Sequence, residues 1–391
     1  MKDQELQDYV VEMRRHFHKY PEIGLKEVKT SETIQAELEK IGYEVKRFEK
    51  CPTGIMTEIR GRKQGNKVVA LRADIDALPI QEESGESFSS VHPGIMHACG
   101  HDAHIAMLLG AARLLAEEID NFGGTIRLLF EPAEEFDGAG KQMIMEGAME
   151  NADTTFAIHV GEGIPVGKIR IHNGVCMAGA GFFSLTVKGK GGHGSAPDGG
   201  IDVIPAASAM VMNLQTIVSR EISPIDSAVV SVGTFHAGKQ ANIIADEAKL
   251  TGSLRYFNKE VQEKLPDSVR RIVESTASAY RVQTELHCQC ALPPAINDLE
   301  CSHLAEECAL SLMGKDCLST GKPSTGSDDF AYYLEEAPGV YAFLGVGQEA
   351  AEEHHPAHSS GFKIDESTLY LGARMYAEYA LRYLKGRNSD E

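Results

Sequence analysis

Eight consecutive residues, His97-Ala98-Cys99-Gly100-His101-Asp102-Ala103-His104, carry three histidines, a cysteine and an aspartate. An apolar run, Ile105 to Ala112, follows at once and predicts a buried helix with these donors rigidly held at its mouth. Thiolate and imidazole donors together suit Zn²⁺, Mn²⁺, Co²⁺ or similar ions better than Mg²⁺ or Ca²⁺. Any one of these residues reads as well as a surface histidine or a buried thiol. The cluster reads as a ligand set only if further donors lie downstream.

They do, and at places where strands are expected to end. Val68–Arg72 reads as a strand delivering Asp74 and Asp76. Thr125–Phe130 delivers Glu131, Glu134 and Glu135, and Thr154–Ile158 ends on His159. Helices are expected over about 4–19, 27–40, 102–119 and 139–147, with Gly42 placed to stop the second in a left-handed conformation. Strands alternating with helices predict a largely parallel sheet covered on both faces. In such sheets, sites form beyond the carboxyl ends of strands.

Between about 180 and 290 the order changes. Strand Phe182–Lys188, helix Asp202–Val218, strands Ala228–Phe235 and Ala248–Tyr256, helix Glu260–Tyr280 and strand Val282–Cys288 make a β-α-β-β-α-β series, the ferredoxin-like signature. The expected fold class is therefore α/β, with an α+β domain at 180–291 inserted between a first part at 1–179 and a second at 292–391.

At 391 residues the chain is long enough for two domains, and its formal net charge of −19 argues against binding a phosphate backbone. The polar start, Met1-Lys2-Asp3-Gln4-Glu5, lacks the apolar core of a signal peptide, and no apolar run is long enough to span a bilayer. Eight scattered cysteines without a repeated Cys-x-x-Cys pattern are expected to be reduced thiols, so a cytoplasmic protein is expected.

Adjacent carboxylates on extended backbone point apart, so Glu134 and Glu135 suit two jobs: one as ligand, the other as a base for water. The competing reading of this pair is a solvated acidic loop, and of His159 a satisfied core histidine. A loop of three more histidines, His354, His355 and His358, lies near the end of the chain. Gly189–Pro197 lacks the ending of a phosphate-binding loop, and its glycines are read as projecting His193 toward a ligand. Cys288 and Cys290 are read as core packing. Ser195 has no strand–elbow–helix context of a serine nucleophile.

Taken in order, these motifs are recognisable. Arg14-Arg15-His16-Phe17-His18-Lys19-Tyr20-Pro21-Glu22, Leu71-Arg72-Ala73-Asp74-Ile75-Asp76-Ala77-Leu78-Pro79, His97–Asp102, Glu131–Glu135, Gly192-His193-Gly194 and Gly326–Phe330 follow one another along the chain. The chain resembles the M20 metallopeptidase superfamily, in its branch of hippurate hydrolases, N-acyl-amino-acid deacylases and auxin-conjugate hydrolases. The resemblance implies a zinc-peptidase-like catalytic domain with two divalent metal ions. Cys99 would bridge them, and His101, Glu135, His159 and a late histidine would complete the shell. Two histidines compete for that last place: His354 keeps a His-x-Pro pattern, while His358 keeps the spacing to Phe362 and is preferred.

The same resemblance implies Glu134 as general base and the inserted domain as lid and dimerisation surface. It makes His193 a donor to the tetrahedral oxyanion, and Asn242 and Arg255 holders of the substrate carboxylate. Asp74 is expected to orient a ligating histidine. Asp102 and His104 are further candidates for backing the ligands, with a purely structural role the alternative for His104.

The function expected is a cytoplasmic, metal-dependent amidohydrolase of N-acyl amino acids. Mn²⁺ or Zn²⁺ are the first candidates, with Co²⁺ and Ni²⁺ also compatible. A homodimer through the inserted domain is expected, without nucleic-acid or membrane partners. Three rivals are a dipeptidase or carboxypeptidase with the same site, a non-catalytic binding protein, and a cysteine hydrolase using Cys99.

Overall fold

The computed structural model describes residues 1–136, 138–347 and 355–386. They fall into two compact units, one of Met1–Cys176, Ile296–Lys322 and Tyr332–Glu391, the other of Met177–Ala295 and Pro323–Ala331.

The first unit is built on a seven-stranded sheet. Its strands are β1 (Val45–Arg47), β2 (Ile55–Arg60), β3 (Lys63–Asp74), β4 (Gly123–Glu131), β5 (Thr154–Pro165), β6 (Ile169–Ile171) and the late strand Gly339–Gly347. Their order is β1-β2-β4-β3-β5-late strand-β6. The four inner strands, β4, β3, β5 and the late strand, are mutually parallel. The outer three pair antiparallel, so the expected parallel sheet carries antiparallel margins. From Val69 to Asp74 every residue of β3 is buried, as befits a central strand covered on both faces.

Helices α1 (Asp3–Lys19), α2 (Val28–Lys40) and α3 (His101–Glu117), with the late helix Leu369–Lys385, belong to the same unit. Helix α3 is buried on nearly every side, because it packs against both α1 and the late helix. A β-carbon at Gly110 would lie 2.8 Å from Val10 and 2.9 Å from Ala373, so the three helices approach this closely only at glycine. Gly42, at φ 95°, follows α2 in the left-handed conformation expected of it.

The boundary that bears on the site differs from expectation. Strand β5 continues past His159 to Pro165, because it stays paired with Gly339–Gly347 after leaving β3. Where β3 and β5 part, the Tyr376 hydroxyl accepts the Ile158 N–H at 3.0 Å and donates to the Arg72 carbonyl at 2.8 Å. Two backbone groups that lose each other as partners are satisfied by one phenol.

The second unit carries a four-stranded antiparallel sheet in the order Ala228–Ala237, Glu247–Tyr256, Gly179–Lys188, Gln283–Leu292. Helices Val203–Thr216 and Lys259–Tyr280 fall between strands in the β-α-β-β-α-β series, with ends within a few residues of expectation. Its core includes Phe183, Leu185, Met210, Leu254 and Val269. Among the described residues, no helix is long and apolar enough to cross a membrane, and all eight cysteines are free.

Helix α1 is locked beneath the start of α3 by charge. Arg14 Nε donates to Asp102 Oδ2 at 2.8 Å, and His18 Nδ1 reaches the same oxygen at 2.8 Å. His18 Nε2 meets Glu82 Oε1 at 3.1 Å, and the Ser90 N–H donates to Glu82 Oε2 at 2.6 Å. Burial works against ionisation of Glu82, yet His18, Ser84 and Ser90 together depress its pKa to about 2. Glu82→Gln should therefore lower stability at neutral pH by about 1–3 kcal/mol, read by urea unfolding. A carboxylate with a depressed folded pKa stabilises above its unfolded pKa and loses that contribution as pH falls. The gap between wild type and variant should accordingly be full above about pH 4.5 and close toward pH 2.

Candidate metal centre

Three parallel strands and one helix bring the donors of the first unit together. Strand β3 ends on Asp74, with Asp76 two residues on, and β4 ends on Glu131, just before Glu134 and Glu135. Cys99 immediately precedes Gly100 and α3, whose first residue is His101. His159 projects from β5 beyond the point where that strand leaves β3. Candidate ligand atoms of Cys99, His101 and His159 all lie within 4.8 Å of one another, as do those of Cys99, Glu135 and His358. Cys99 belongs to both groups. His101, Glu134 and Glu135 form a third such group.

Local backbone explains the convergence. Gly100 is left-handed at φ 93°, and a β-carbon there would stand 2.3 Å from Val160 Cγ2. Only glycine lets the Cys99–His101 turn lie against β5. Ala133 holds φ 55°, a left-handed conformation that costs an alanine about 1–2 kcal/mol. It turns the chain just before Glu134. His358 is left-handed as well, at φ 67°, and its N–H donates to the Ala98 carbonyl at 2.8 Å, fastening the late loop beside Cys99. His358 Nε2 pairs with Glu135 Oε1 at 2.9 Å, and this contact, ahead of the opposing burial, raises the His358 pKa. His354 lies outside the described residues.

The histidines are presented as ligands. His159 Nδ1 donates to the Val160 carbonyl at 2.6 Å, leaving Nε2 to face Cys99 Sγ at 3.4 Å. His101 Nδ1 is taken by Asp76 Oδ1 at 3.2 Å, and its buried Nε2 has no hydrogen-bond partner among the described residues. In both rings the outer nitrogen is occupied, so the inner one is left for coordination. Asp76 Oδ2 also accepts the Glu135 N–H at 3.1 Å.

Asp74, expected behind a ligand, holds His104 most closely: His104 Nδ1 donates to its Oδ1 at 2.6 Å, with His101 Nδ1 farther away at 3.7 Å. His104 Nε2 accepts the Val160 N–H at 2.9 Å, so this ring braces the backbone next to His159. Burial lowers the His104 pKa to about 4 despite Asp74, keeping it neutral. Asp76 lies in the Leu71–Pro79 motif, where no role is expected of it from the sequence. Its signal is the Asp-x-Asp spacing at a strand end.

The electrostatics fit a divalent cation. Burial pushes the Cys99 thiol well above its ordinary value. Against burial, Asp74, Cys99 and Asp76 raise the His101 pKa well above that of a free imidazole. Asp74 stays well below the usual carboxylate range, because His101, His104 and Arg72 outweigh its burial. The pocket thus favours positive charge, and a metal ion supplies it while ionising the thiol. Soft sulfur, imidazole and carboxylate in two groups sharing Cys99 suit two ions of the borderline class.

In the second unit, Gly192–His193 pairs with Ile243–Ile244, and the Gly194 N–H donates to the Asn242 carbonyl at 2.9 Å. The structure thus sets His193 and Asn242 side by side on one short ribbon. His193 is exposed, and its Nδ1 accepts the Ser195 N–H at 3.1 Å, which leaves the proton on Nε2. Arg255 sits on Glu247–Tyr256, its Nη1 donating to the Leu254 carbonyl at 2.9 Å.

Residues 70–382 match the pattern of peptidase family M20/M25/M40. The chain is 40% identical over 382 residues to thermostable carboxypeptidase 1 of Saccharolobus solfataricus, covering 97% of this chain and 96% of that protein. It is 38% identical over 386 residues to N-acetylcysteine deacetylase of Bacillus subtilis, covering 98% and 99%. Among solved structures, the YxeP protein of Bacillus subtilis, described as a dinuclear metal-binding peptidase of the M20 family, superposes with a TM-score of 0.85. It shares 34% identity over 98% of this chain and 99% of that one. With motif order, sheet and donor groups in agreement, the chain belongs to peptidase family M20/M25/M40, a family of hydrolases.

Proposed function

We propose that this hydrolase cleaves the amide between an acyl group and the nitrogen of an amino acid. The observation that carries the reading is the Glu134–Glu135 pair at the end of β4. Both carboxylates come within 4.8 Å of His101, and Glu135 also groups with Cys99 and His358. The additional grouping with Cys99 and His358 supports Glu135 as the ligand and Glu134 as the proton carrier.

Cys99, His101, His159, Glu135 and His358 would hold two divalent ions, with Cys99 shared. When bound, the ions polarise the scissile carbonyl and acidify water. Glu134 takes the proton of the attacking water and returns it to the leaving nitrogen, so no net proton is consumed at the carboxylate. His193, with its proton on Nε2, is suited to donate a hydrogen bond to the substrate's oxyanion. Asn242 and Arg255 are the proposed holders of the substrate carboxylate, a task suited to the planar guanidinium. A homodimer formed through the second unit, acting in the cytoplasm, completes the proposal.

The carboxypeptidase relative favours a second reading, cleavage of peptides at the same centre. Free-amine release from a panel of N-acyl amino acids and dipeptides, metal-free and with Mn²⁺, Zn²⁺ or Co²⁺, separates the two. Metal-dependent release from N-acyl amino acids is expected, and release from dipeptides alone would overturn the deacylase reading.

Glu134→Gln should lower kcat by roughly a hundred- to ten-thousand-fold while metal content by elemental analysis stays at the wild-type level. An active Gln variant would refute the base. Cys99→Ala should bind less metal, and unchanged stoichiometry would remove Cys99 from the ligand set.

A further inference from the structure

Behind the Glu134–Glu135 turn lies a carboxylate that the proposed reaction does not use. Glu27, just before α2, is 0% exposed. Its Oε1 accepts the Ala133 N–H at 2.9 Å, and its Oε2 accepts the Thr53 hydroxyl at 3.0 Å. Ala133 is itself fully buried and left-handed, so its amide has no access to water. A β-carbon at Gly24 would come within 3.0 Å of Ala133 Cβ, so the chain leading to Glu27 lies directly against this turn.

The turn is thus held at two amides. Glu27 holds Ala133, Asp76 holds Glu135 at 3.1 Å, and Glu134 stands between them. Asp76 also touches His101, so its removal would disturb a ligand directly. Glu27 contacts neither a ligand nor Glu134 in these hydrogen bonds.

We propose that Glu27 is a positioning residue: as acceptor for the buried Ala133 amide, it fixes the left-handed turn that aims Glu134 and Glu135. The inference rests on the reading of those two residues as base and ligand. What matters is an oxygen acceptor at that place. A glutamine side chain there would keep one for Ala133 and turn its amide toward Thr53, whose hydroxyl accepts as well as donates. Glu27→Met fills similar volume with no acceptor.

The test compares Glu27→Met and Glu27→Gln in the full chain by three readouts. These are Mn²⁺ affinity of the metal-stripped protein in competition with a chelator, kcat and KM at saturating Mn²⁺, and the thermal midpoint. Loss of a partner behind a ligand typically costs about ten- to a hundred-fold in metal affinity or rate. For Glu27→Met a loss of about that size is expected in Mn²⁺ affinity and in kcat, with KM within about threefold. Glu27→Gln should stay within about threefold of wild type in affinity, kcat and KM.

A Met variant that merely melts earlier, with affinity and kcat intact, would overturn the proposal. So would a Gln variant as impaired as the Met variant, since an acceptor would then not suffice. Should the Met variant not fold, hydrogen exchange of the Ala133 amide decides. Strong protection in wild type and Gln variant is expected, and fast exchange in both would refute the contact. Mn²⁺ affinity needs no substrate, so an affinity loss in the Met variant upholds Glu27 even if every N-acyl amino acid is refused.

Discussion

The site depends on one buried guanidinium. Arg72, 1% exposed, donates from Nη1 to Asp74 at 2.6 Å and from Nε to Glu131 at 2.7 Å, tying the carboxyl ends of β3 and β4. Asp74 passes the constraint to His104 on α3, and His104 passes it to the Val160 amide on β5. Three strands and a helix are thereby joined just behind the donors, through charge-assisted hydrogen bonds at Arg72 and Asp74 and a neutral one between His104 and β5. Removing one member of such a buried set leaves an uncompensated charge, typically at a cost of about 3–5 kcal/mol. Without Arg72, carboxylates gathered this closely would repel one another at the ends of strands that the backbone ladder already holds in register.

On that foundation, left-handed backbone does the fine placement. The left-handed residues Gly100, Ala133 and His358 each adjoin or supply a proposed functional side chain. Each is held by something specific: Gly100 by the absence of a β-carbon against Val160, His358 by its bond to Ala98, and Ala133 by the carboxylate beneath it. At Ala133 and His358, which are not glycines, the conformation is strained, and such strain persists where surrounding contacts overdetermine it. Together the three left-handed turns bring side chains of separate segments toward Cys99.

Much of this was legible in the sequence because donors of unusual chemistry clustered beside buried helices and strands. Cys99 and His101 stood at the mouth of an apolar helix, Glu135 just past a strand and His159 on one, and the β-α-β-β-α-β order was readable from hydrophobic periodicity. Other features were not readable. Spacing alone cannot say whether Asp74 or Asp76 lies behind His101, since side chains two residues apart share a face of a strand and only packing assigns the partner. The extension of β5 past His159 depends on a partner strand far later in the chain, Gly339–Gly347, a pairing that local pattern does not encode. Glu27 looks like any glutamate before a helix, where acidic residues are common for reasons of the helix dipole. Its burial against Ala133 is a tertiary fact.

The account stands on Cys99 as the donor common to two groups. Cobalt tests that directly, because a cysteine thiolate bound to Co²⁺ gives a near-ultraviolet charge-transfer band that carboxylate and imidazole ligands do not. Titration of the metal-stripped protein should saturate at two Co²⁺ per chain, with a thiolate band that is lost in Cys99→Ser. Saturation without such a band, or a band that survives in Cys99→Ser, would contradict the shared-sulfur centre on which the mechanism is built.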